Sequence, residues 1–592
     1  MEPESLPARA HEVAQTKRER LLSWYFRLAI LAALCAGLYQ GAKFWWVSDD
    51  AFIGYRYSKN FIEGRGLVFN EGERVEGFTD PLWVLWCSLP LIWGQAAETW
   101  GNGTGLVSYA AAILLLAWIH RVWALEVVGP RRFSVPFAAL AAGLHPDWAV
   151  FATSGLETST FTAALVGAYA CLVRSGGRQR VTASGALFAL ASLLRPDGAL
   201  PGLLAGLWLL GRGRTERREA LYFAGSFLAL WAPAQAARIA YYGDFFPNTF
   251  YAKSGNLTYY SQGFAYVGTY LSVYAPLIAA VVLPLIVHLR ALRPAVDDTP
   301  ERFRSLPMVY LAAAIAAAYT LYVARVGGDF MFARMLIPAT PFALLALDYA
   351  LLQFSNRRAA AALALTGLCA GVPFWIAHKQ DRIHYGHGIA NERLFYLNAW
   401  PGEYMDRMGG VLKKYFEGLP VRMFMPSSQA RMIYRSEVPY ALESYGLTDA
   451  YVAHLPLRER ARPGHEKPAP IEYILLERKV HFTTSESGYR EFFGINRTIP
   501  YVQFQLDRIP VFVLTWDPPL MQALQERGVE VPDFLGDLDR IISKLDGLSD
   551  TEAADLYGRY TYFYFAHVSD PEREDAFKHR LNRGSPALQP TP

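Results

Sequence analysis

Two adjacent carboxylates, Asp49 and Asp50, follow directly on an apolar run from about Leu21 to Val47. Acids are costly to bury beside a bilayer and are common at its edge where they serve chemistry in water. The stretch Ser48 to about Glu63 reads as a short helix, capped by Ser48 or Asp49 and ended by Gly64 and Gly66. Neighbouring side chains on a helix diverge by about 100°, so one acid can face a cleft while the other caps or holds a neighbour. Phe52, Tyr55 and Ile62 share a face, which predicts a helix lying along a membrane surface. A carboxylate in this setting can take the proton of a hydroxyl as that hydroxyl attacks an electrophilic carbon.

Four more polar loops carry an acid beside Gly, Pro or an aromatic. They are His145-Pro146-Asp147-Trp148 with Ser154 to Thr158, then Arg195-Pro196-Asp197-Gly198, then Tyr242 to Lys253, and last Val326 to Arg334. His145, Asp147 and Glu157 read either as a sugar or metal site or as polar anchors at a span end, and their spacing matches no standard metal-ligand pattern. Arg195 and Asp197 read first as a local ion pair. Asp329, between Gly327-Gly328 and Phe330, reads as a turn former or a substrate contact. Lys253 reads as a phosphate ligand or a snorkelling side chain.

Long apolar segments place these loops. Eleven are long enough to count: Leu21–Phe44, Leu106–Leu125, Phe133–Ala152, Ser159–Val173, Ala183–Leu194, Ala199–Leu210, Ala220–Ile239, Tyr270–Val287, Pro307–Val323, Met335–Leu352 and Ala359–Ala377. The first is read as an uncleaved span rather than a signal peptide, because it is too long for a simple signal core. Leu82–Trp93 is shorter and reads as re-entrant or interfacial. Basic loops alternate with the acidic ones: Lys17-Arg18; Arg131-Arg132; Arg174, Arg178 and Arg180; Arg212, Arg214, Arg217 and Arg218; Arg290 and Arg293; Arg357-Arg358. The positive-inside rule makes the basic side cytoplasmic and the acidic side extracytoplasmic.

Composition agrees with a membrane protein. Of 592 residues 52% are hydrophobic and 14% aromatic, and the mean hydropathy of +0.12 exceeds that of most soluble chains. A net charge of +4 gives nucleic-acid binding no support. Cys35, Cys87, Cys171 and Cys369 all lie in apolar runs, which excludes a disulfide framework or thiolate metal site in the C-terminal third.

The fold expected is therefore a polytopic α-helical membrane protein of about eleven transmembrane helices with a C-terminal extracytoplasmic α+β domain. Residues 1–20 form a cytoplasmic tail, 21–377 the membrane domain with its first outer loop at 48–81, 378–580 the soluble domain and 581–592 a disordered tail. In the soluble domain Val421–Pro426, Tyr473–Lys479 and Tyr501–Trp516 read as strands, the last with a turn at Asp507 to Pro510. Glu530–Phe565 reads as amphipathic helix in pieces, with Asp533 or Asp550 as caps. Asp449, His454 and His465 read as acceptor contacts or as structural hydrogen-bonding groups.

At the outer face neither nucleotide sugars nor ATP is available, so an enzyme there draws activated groups from a lipid carrier. The order of features resembles the GT-C glycosyltransferase superfamily. It is most similar to terminal β-(1→2) arabinofuranosyltransferases of mycobacteria and to their Gram-negative relatives, including pilin arabinosyltransferases. The carrying residues are Ser48 to Ile53 and on through Tyr57, Gly66 to Asn70, Gly72 to Thr79, Pro247-Asn248-Thr249, Gly327 to Met331, Tyr445 to Asp449 and Arg462 to Glu466. One departure is Asp80 in Thr79-Asp80-Pro81, where Ser or Asn is expected of relatives.

The resemblance implies a sugar, arabinofuranose first, moved from a polyprenyl phosphate to a hydroxyl of a cell-surface glycan or protein. Asp50, then Asp49, are the catalytic candidates. Lys253, Arg334, Arg325 and Arg56 are candidates for the donor phosphate, whose growing charge needs cations within hydrogen-bond reach. Asp329, Glu157, His145, Asn248, Asp449 and His465 are candidates for sugar or acceptor. No cofactor and no metal site is assigned, and a divalent cation stays open. The implied location is a bacterial inner membrane. The rival readings are a transporter or flippase of lipid-linked glycans, for which acids at mid-membrane depth are expected, and a non-catalytic assembly protein.

Overall fold

The computed structural model describes residues 6–129, 134–174, 177–212, 214–291, 304–354, 358–368, 384–399, 401–426, 428–486 and 499–584. The helices up to residue 398 are α1 (Leu6–Lys43), α2 (Asp49–Ile62), α3 (Pro81–Ser88), α4 (Ala97–Val127), α5 (Phe137–Gly143), α6 (Pro146–Ala152), α7 (Thr158–Val173), α8 (Arg178–Leu194), α9 (Ala199–Leu210), α10 (Arg214–Tyr242), α11 (Asn248–Ala252), α12 (Tyr260–Val273), α13 (Ala279–Ala291), α14 (Leu306–Val326), α15 (Thr340–Phe354), α16 (Arg358–Thr366) and α17 (Glu392–Asn398). Two compact units divide the chain. One comprises Met1–Ala51, Thr79–Phe245 and Gly255–Asn398, and the other Phe52–Phe78, Phe246–Ser254 and Ala399–Pro592. The division falls inside α2, after Ala51.

The first unit is a helical bundle. Among the described residues three helices are long and apolar enough to cross a membrane: Glu19–Lys43, Ala97–Val127 and Leu306–Val326. Close packing there depends on residues without side chains. A Cβ on Gly143 of α5 would lie 2.3 Å from the Ala33 carbonyl oxygen of α1, and one on Gly105 of α4 would lie 2.3 Å from that of Ala152 in α6. Such contacts let apolar helices gain dispersion energy where lipid gives no hydrophobic drive. Buried polar groups add specific ties. His120 Nδ1 of α4 meets both Asp348 oxygens of α15 at 2.9 and 3.0 Å, while its Nε2 lies 3.1 Å from Ser134 Oγ.

Two expected spans are broken. Phe133–Ala152 is two seven-residue helices, α5 and α6, because Pro146 starts a new helix and the His145 ring caps it by accepting from Trp148 N at 3.1 Å. Tyr270–Val287 divides between α12 and α13, with a 3-10 turn over Ala275–Ile278 that carries Pro276 at its second position. Leu82–Trp93 is a short helix followed by a 3-10 turn. The loop residues Arg131, Arg132, Arg293 and Arg357, together with Cys369 and the end of the span at Ala359–Ala377, lie outside the described residues.

The second unit contains a five-stranded sheet. Its strands are β3 (Arg422–Met425), β4 (Tyr440–Glu443), β5 (Phe482–Thr483), β6 (Gln503–Leu506) and β7 (Ile509–Val513), numbered after a small hairpin of the first unit, β1 (His384–Gly386) with β2 (Ile389–Ala390). The order is β4-β3-β5-β7-β6, parallel among the first three and antiparallel from β5 onward. Besides α11 and most of α2, the helices of this unit are α18 (Gly402–Phe416), α19 (Ala430–Ser436), α20 (Ala450–His454), α21 (Pro518–Glu526), α22 (Phe534–Ile542), α23 (Asp550–Tyr560) and α24 (Pro571–Gly584).

The strands expected near Val421 and Tyr501 are present, and the hairpin turn falls at Asp507 and Arg508, both with positive φ. Tyr473–Glu477 is a helical turn, not the expected strand. Its run Tyr-Ile-Leu-Leu-Glu is too short for periodicity to decide between the two. Asp533 caps α22 by accepting from Gly536 N. The cap of α23 is Ser549 in a capping box with Glu552, so Asp550 lies inside the helix instead. In the expected disordered tail, helix α24 runs on to Gly584, and residues 585–592 lie outside the described residues. The α2 face formed by Phe52 and Tyr55 is covered by protein rather than facing a membrane, since both rings are buried beside Tyr434 of α19.

Candidate functional site

The chain entering α2 is pinned before the acids are reached. Trp46 Nε1 donates to the Val150 carbonyl at 2.8 Å, Asn102 Nδ2 donates to the Trp46 carbonyl at 3.0 Å, and Ser48 N donates to the Ser154 carbonyl at 2.8 Å. Asp49 and Asp50 then occupy the first turn of α2, where the positive end of the helix dipole favours carboxylates. The loop that holds Ser48 turns at Gly155, whose φ is +78°, and leads to Glu157 at the start of α7. Trp83 of α3 donates to the Gly155 carbonyl at 3.0 Å, which brings the segment after Asp80 to the same loop.

Glu157 is the hub. Its Oε1 accepts from Arg195 at 3.0 Å and from Arg334 at 3.3 Å, so one buried carboxylate joins two guanidinium groups. Arg195 also forks onto Asp197, with its Nη2 at 2.9 Å, and the Tyr319 hydroxyl donates to the same carboxylate at 2.5 Å. Arg334 faces Asp329 at 3.5 Å, while Asp329 accepts from Phe330 N at 2.8 Å. Arg334 also feels the negative charge of Asp50. Burial works against the charge on both arginines. Asp197, Tyr319 and Glu157 outweigh it at Arg195, and Glu157, Asp329 and Asp50 do so at Arg334, so both stay protonated.

One donor of this cluster lacks a partner among the described residues, and one acid beside it is perturbed. The buried Nε–H of Arg334 has no acceptor among the described residues, and an unpaired buried donor is costly unless a ligand supplies its partner. The half-buried Asp80 makes no capping bond to α3. Burial first, then the charge of Glu157, push its pKa up to about 7, against the opposing pull of Arg334 and Arg195. Its carboxyl is thus disposed to keep its proton well above the ordinary carboxylate range, and in that form it presents an O–H donor, as Ser or Asn would.

Among the residues named from the sequence, Asp50, Glu157, Asp329 and Arg334 converge. His145 is engaged in a buried ring cluster: Nε2 lies 3.0 Å from the Tyr270 hydroxyl, and the ring stacks on Tyr274 at 4.2 Å. Arg325 is in the last turn of α14, its carbonyl accepting from Tyr259 N. The remaining candidates belong to the second unit. Arg56 is buried and donates to the carbonyls of Phe69 at 2.7 Å and Val438 at 2.8 Å. Burial first, and then Arg65, lower its pKa to about 10. Asn248 donates to the carbonyls of Gly446 and Leu447 at 2.7 and 2.9 Å. Asp449 caps α20 and accepts from Tyr473 and Arg478 at 2.8 and 2.9 Å. His465 stands edge-on to Tyr445 with its Nδ1 3.3 Å from the Pro463 carbonyl. Lys253 is exposed, with no side-chain partner among the described residues.

Sequence reasoning left Arg195 and Asp197 as a local pair and did not foresee Tyr319. The signal was present in that Arg195-Pro196-Asp197 occupies the same alternating set of acidic loops as Glu157 and Asp329. Among the described residues no three His, Cys, Asp or Glu side chains are placed to hold a metal ion.

The molecule thus combines an apolar helical bundle with a buried cluster of carboxylates around two arginines. The chain is a homologue of terminal β-(1→2)-arabinofuranosyltransferases, as the resemblance implied. It is 32% identical to the one from Mycobacterium tuberculosis over 421 residues, and 32% identical to the one from Corynebacterium glutamicum over 346 residues. These matches take in 62% and 52% of this chain, and 66% and 48% of the relatives, so it spans under two thirds of either. No family model matches the chain. Two solved structures of ArnT from Cupriavidus metallidurans, in the apo state and bound to undecaprenyl phosphate, are similar at 14% identity with TM-scores of 0.49 and 0.46. Each match covers 83% of this chain and 98% of ArnT, at scores that decide nothing further.

Proposed function

We propose that the chain is a membrane glycosyltransferase that moves a sugar, arabinofuranose first, from a polyprenyl phosphate to a hydroxyl of a cell-surface glycan or protein. In this proposal the basic loops face the cytoplasm and the acidic face lies outside the inner membrane of a bacterium, an orientation that the positive-inside rule supports. On this reading about eleven helices between residues 21 and 377 form a GT-C-like membrane domain, and residues 378–580 form an extracytoplasmic one.

In the reaction proposed, Asp50 takes the proton of the acceptor hydroxyl as its oxygen bonds to the anomeric carbon, with Asp49 the second candidate. The bond from that carbon to the phosphate oxygen breaks, and the polyprenyl phosphate leaves with the electron pair. Arg334, supported by Arg195 through Glu157, stabilises the charge that develops there. Arg325 and Lys253 remain further candidates for that phosphate. Asp329 and Glu157 are given the sugar side of the site as well as their grip on Arg334. Arg56, Asn248 and Asp449 are given structural roles, because their polar atoms are already engaged.

The observation that carries the reading is a buried guanidinium donor without a partner, on an arginine that feels the charge of Asp50. The similarity to terminal β-(1→2)-arabinofuranosyltransferases supports the choice of sugar. The test is purified protein with a synthetic polyprenyl-phosphoryl arabinofuranose and candidate acceptors. Transfer is expected, and Asp50→Asn is expected to lower it by about 10²–10⁴-fold. Transfer from a mannose analogue alone corrects the sugar and keeps the mechanism. No transfer from either donor, or full activity in Asp50→Asn, overturns the reading.

A further inference from the structure

Arg334 is carried on a turn, not on a helix, and a turn positions a side chain well only when something fixes both of its ends. Here that something is one hydroxyl. Tyr266 of α12 is buried, and its phenolic oxygen donates to the Met331 carbonyl at 2.8 Å while accepting from Met335 N at 3.2 Å. The two partners lie three residues before and one residue after Arg334. Between them Ala333 sits in the left-handed region at φ +66°, a conformation that costs a residue with a side chain and persists only when its surroundings impose it.

The ring itself cannot drift. A Cβ on Gly328, whose φ is +70°, would lie 2.4 Å from Tyr266 Cγ, and one on Gly263 would lie 1.9 Å from the Ala324 carbonyl oxygen. Only glycine at these two places lets α12 lie flush against the end of α14 with the ring under the turn. On its far side the turn is bridged to β2, with Ala390 N donating to the Phe330 carbonyl at 2.8 Å and Phe332 N donating to the Ala390 carbonyl at 2.9 Å.

We propose that Tyr266 is a positioning residue for the donor phosphate: its hydroxyl clasps the 331–335 turn and so aims the Arg334 guanidinium. This rests on the reading of Arg334 as the phosphate ligand. Tyr266 touches no substrate, so its removal acts through Arg334 alone, and the two effects are coupled rather than additive.

The experiment is a double-mutant cycle on the purified full chain with Tyr266→Phe, Arg334→Lys and both together. The readouts are KM and kcat with the synthetic polyprenyl-phosphoryl arabinofuranose and inhibition by free polyprenyl phosphate. Tyr266→Phe is expected to raise the donor KM and the inhibition constant together by about tenfold, with kcat changed less than about threefold. In the Arg334→Lys background the same change is expected to add less than about twofold. An equal effect in both backgrounds, or an unchanged donor KM, overturns the clasp. If Arg334→Lys by itself leaves the donor KM unchanged, the failure lies in the phosphate role of Arg334. Should Tyr266→Phe not fold, Ala333→Gly, which accepts the positive φ without strain, is added to restore the fold, and the cycle with Arg334→Lys is run in that background with the same coupling expected.

Discussion

Each unit of this molecule holds a guanidinium between carboxylates, and the two are resolved differently. In the second unit Arg478 donates to Glu73 at 2.6 Å, to Asp449 at 2.9 Å and to the Tyr473 hydroxyl at 2.6 Å, so every one of its nitrogens has a protein partner. In the first unit Arg334 is held by Glu157 and Asp329, but its Nε–H is left over. A closed set of hydrogen bonds ties elements together. A set with one bond short among the described residues has room for one more partner, a ligand or a water. The difference separates a charge cluster that holds a fold from one that can serve a reaction.

The sharpest way to break this comparison is to disturb both clusters in the same manner. Arg334→Lys keeps the positive charge between Glu157 and Asp329 and removes the spare donor. It is expected to lower kcat/KM for the donor by about 10–100-fold, with the melting temperature nearly unchanged. Asp449→Ala strips Arg478 and Tyr473 of their common acceptor and α20 of its cap. The expected result is a loss of about 3–5 kcal/mol of stability in denaturant melts, with an unaltered donor KM in the folded fraction. A reversal of the two outcomes removes the distinction.

A smaller effect separates the clusters by pH. Asp80 has a folded-state pKa raised to about 7, above the ordinary carboxylate value, so the fold binds a proton that the unfolded chain has released. The stability this contributes is present at low pH and is lost as pH rises through about 7. Above that value an added anion also competes with the phosphate for Arg334. The donor KM is therefore expected to rise above about pH 7, and Asp80→Asn is expected to flatten that rise. A wild-type profile without a limb in this range contradicts the assignment. The smallest effect concerns Arg56, whose carbonyl partners make it structural. Arg56→Lys is expected to cost about 1–3 kcal/mol in melts and to leave the donor KM alone.

The site was legible in the sequence where local chemistry announced it. Asp50, Glu157, Asp329 and Arg334 each stand in a polar loop between apolar runs, within two residues of a Gly or an aromatic, and the alternation of basic and acidic loops led to the expectation that those loops share one face. The β6–β7 hairpin and the Asp533 cap were legible for the same local reasons. Partners supplied from afar were not. Two of the three carbonyls that engage Arg56 come from Ile433 and Val438, 377 and 382 residues away, and no spacing rule points to them. Asp449 and Asn248 read as binding groups because their role as braces depends on Arg478, Tyr473 and the carbonyls of Gly446 and Leu447. The break at His145-Pro146 hid within an apolar run because hydropathy averages over the one histidine that caps a new helix.

The pairing of His120 with Asp348 bears on how the protein is made. The two are 228 residues apart, so the acid in α15 emerges from the ribosome long after the histidine in α4. If α15 spans the membrane as proposed, it carries until they meet a carboxyl without its partner, and such a group resists partition into lipid. On that reading α4 is in place before α15 arrives, and loss of His120 is expected to trouble the late docking of α15 rather than the first steps of assembly.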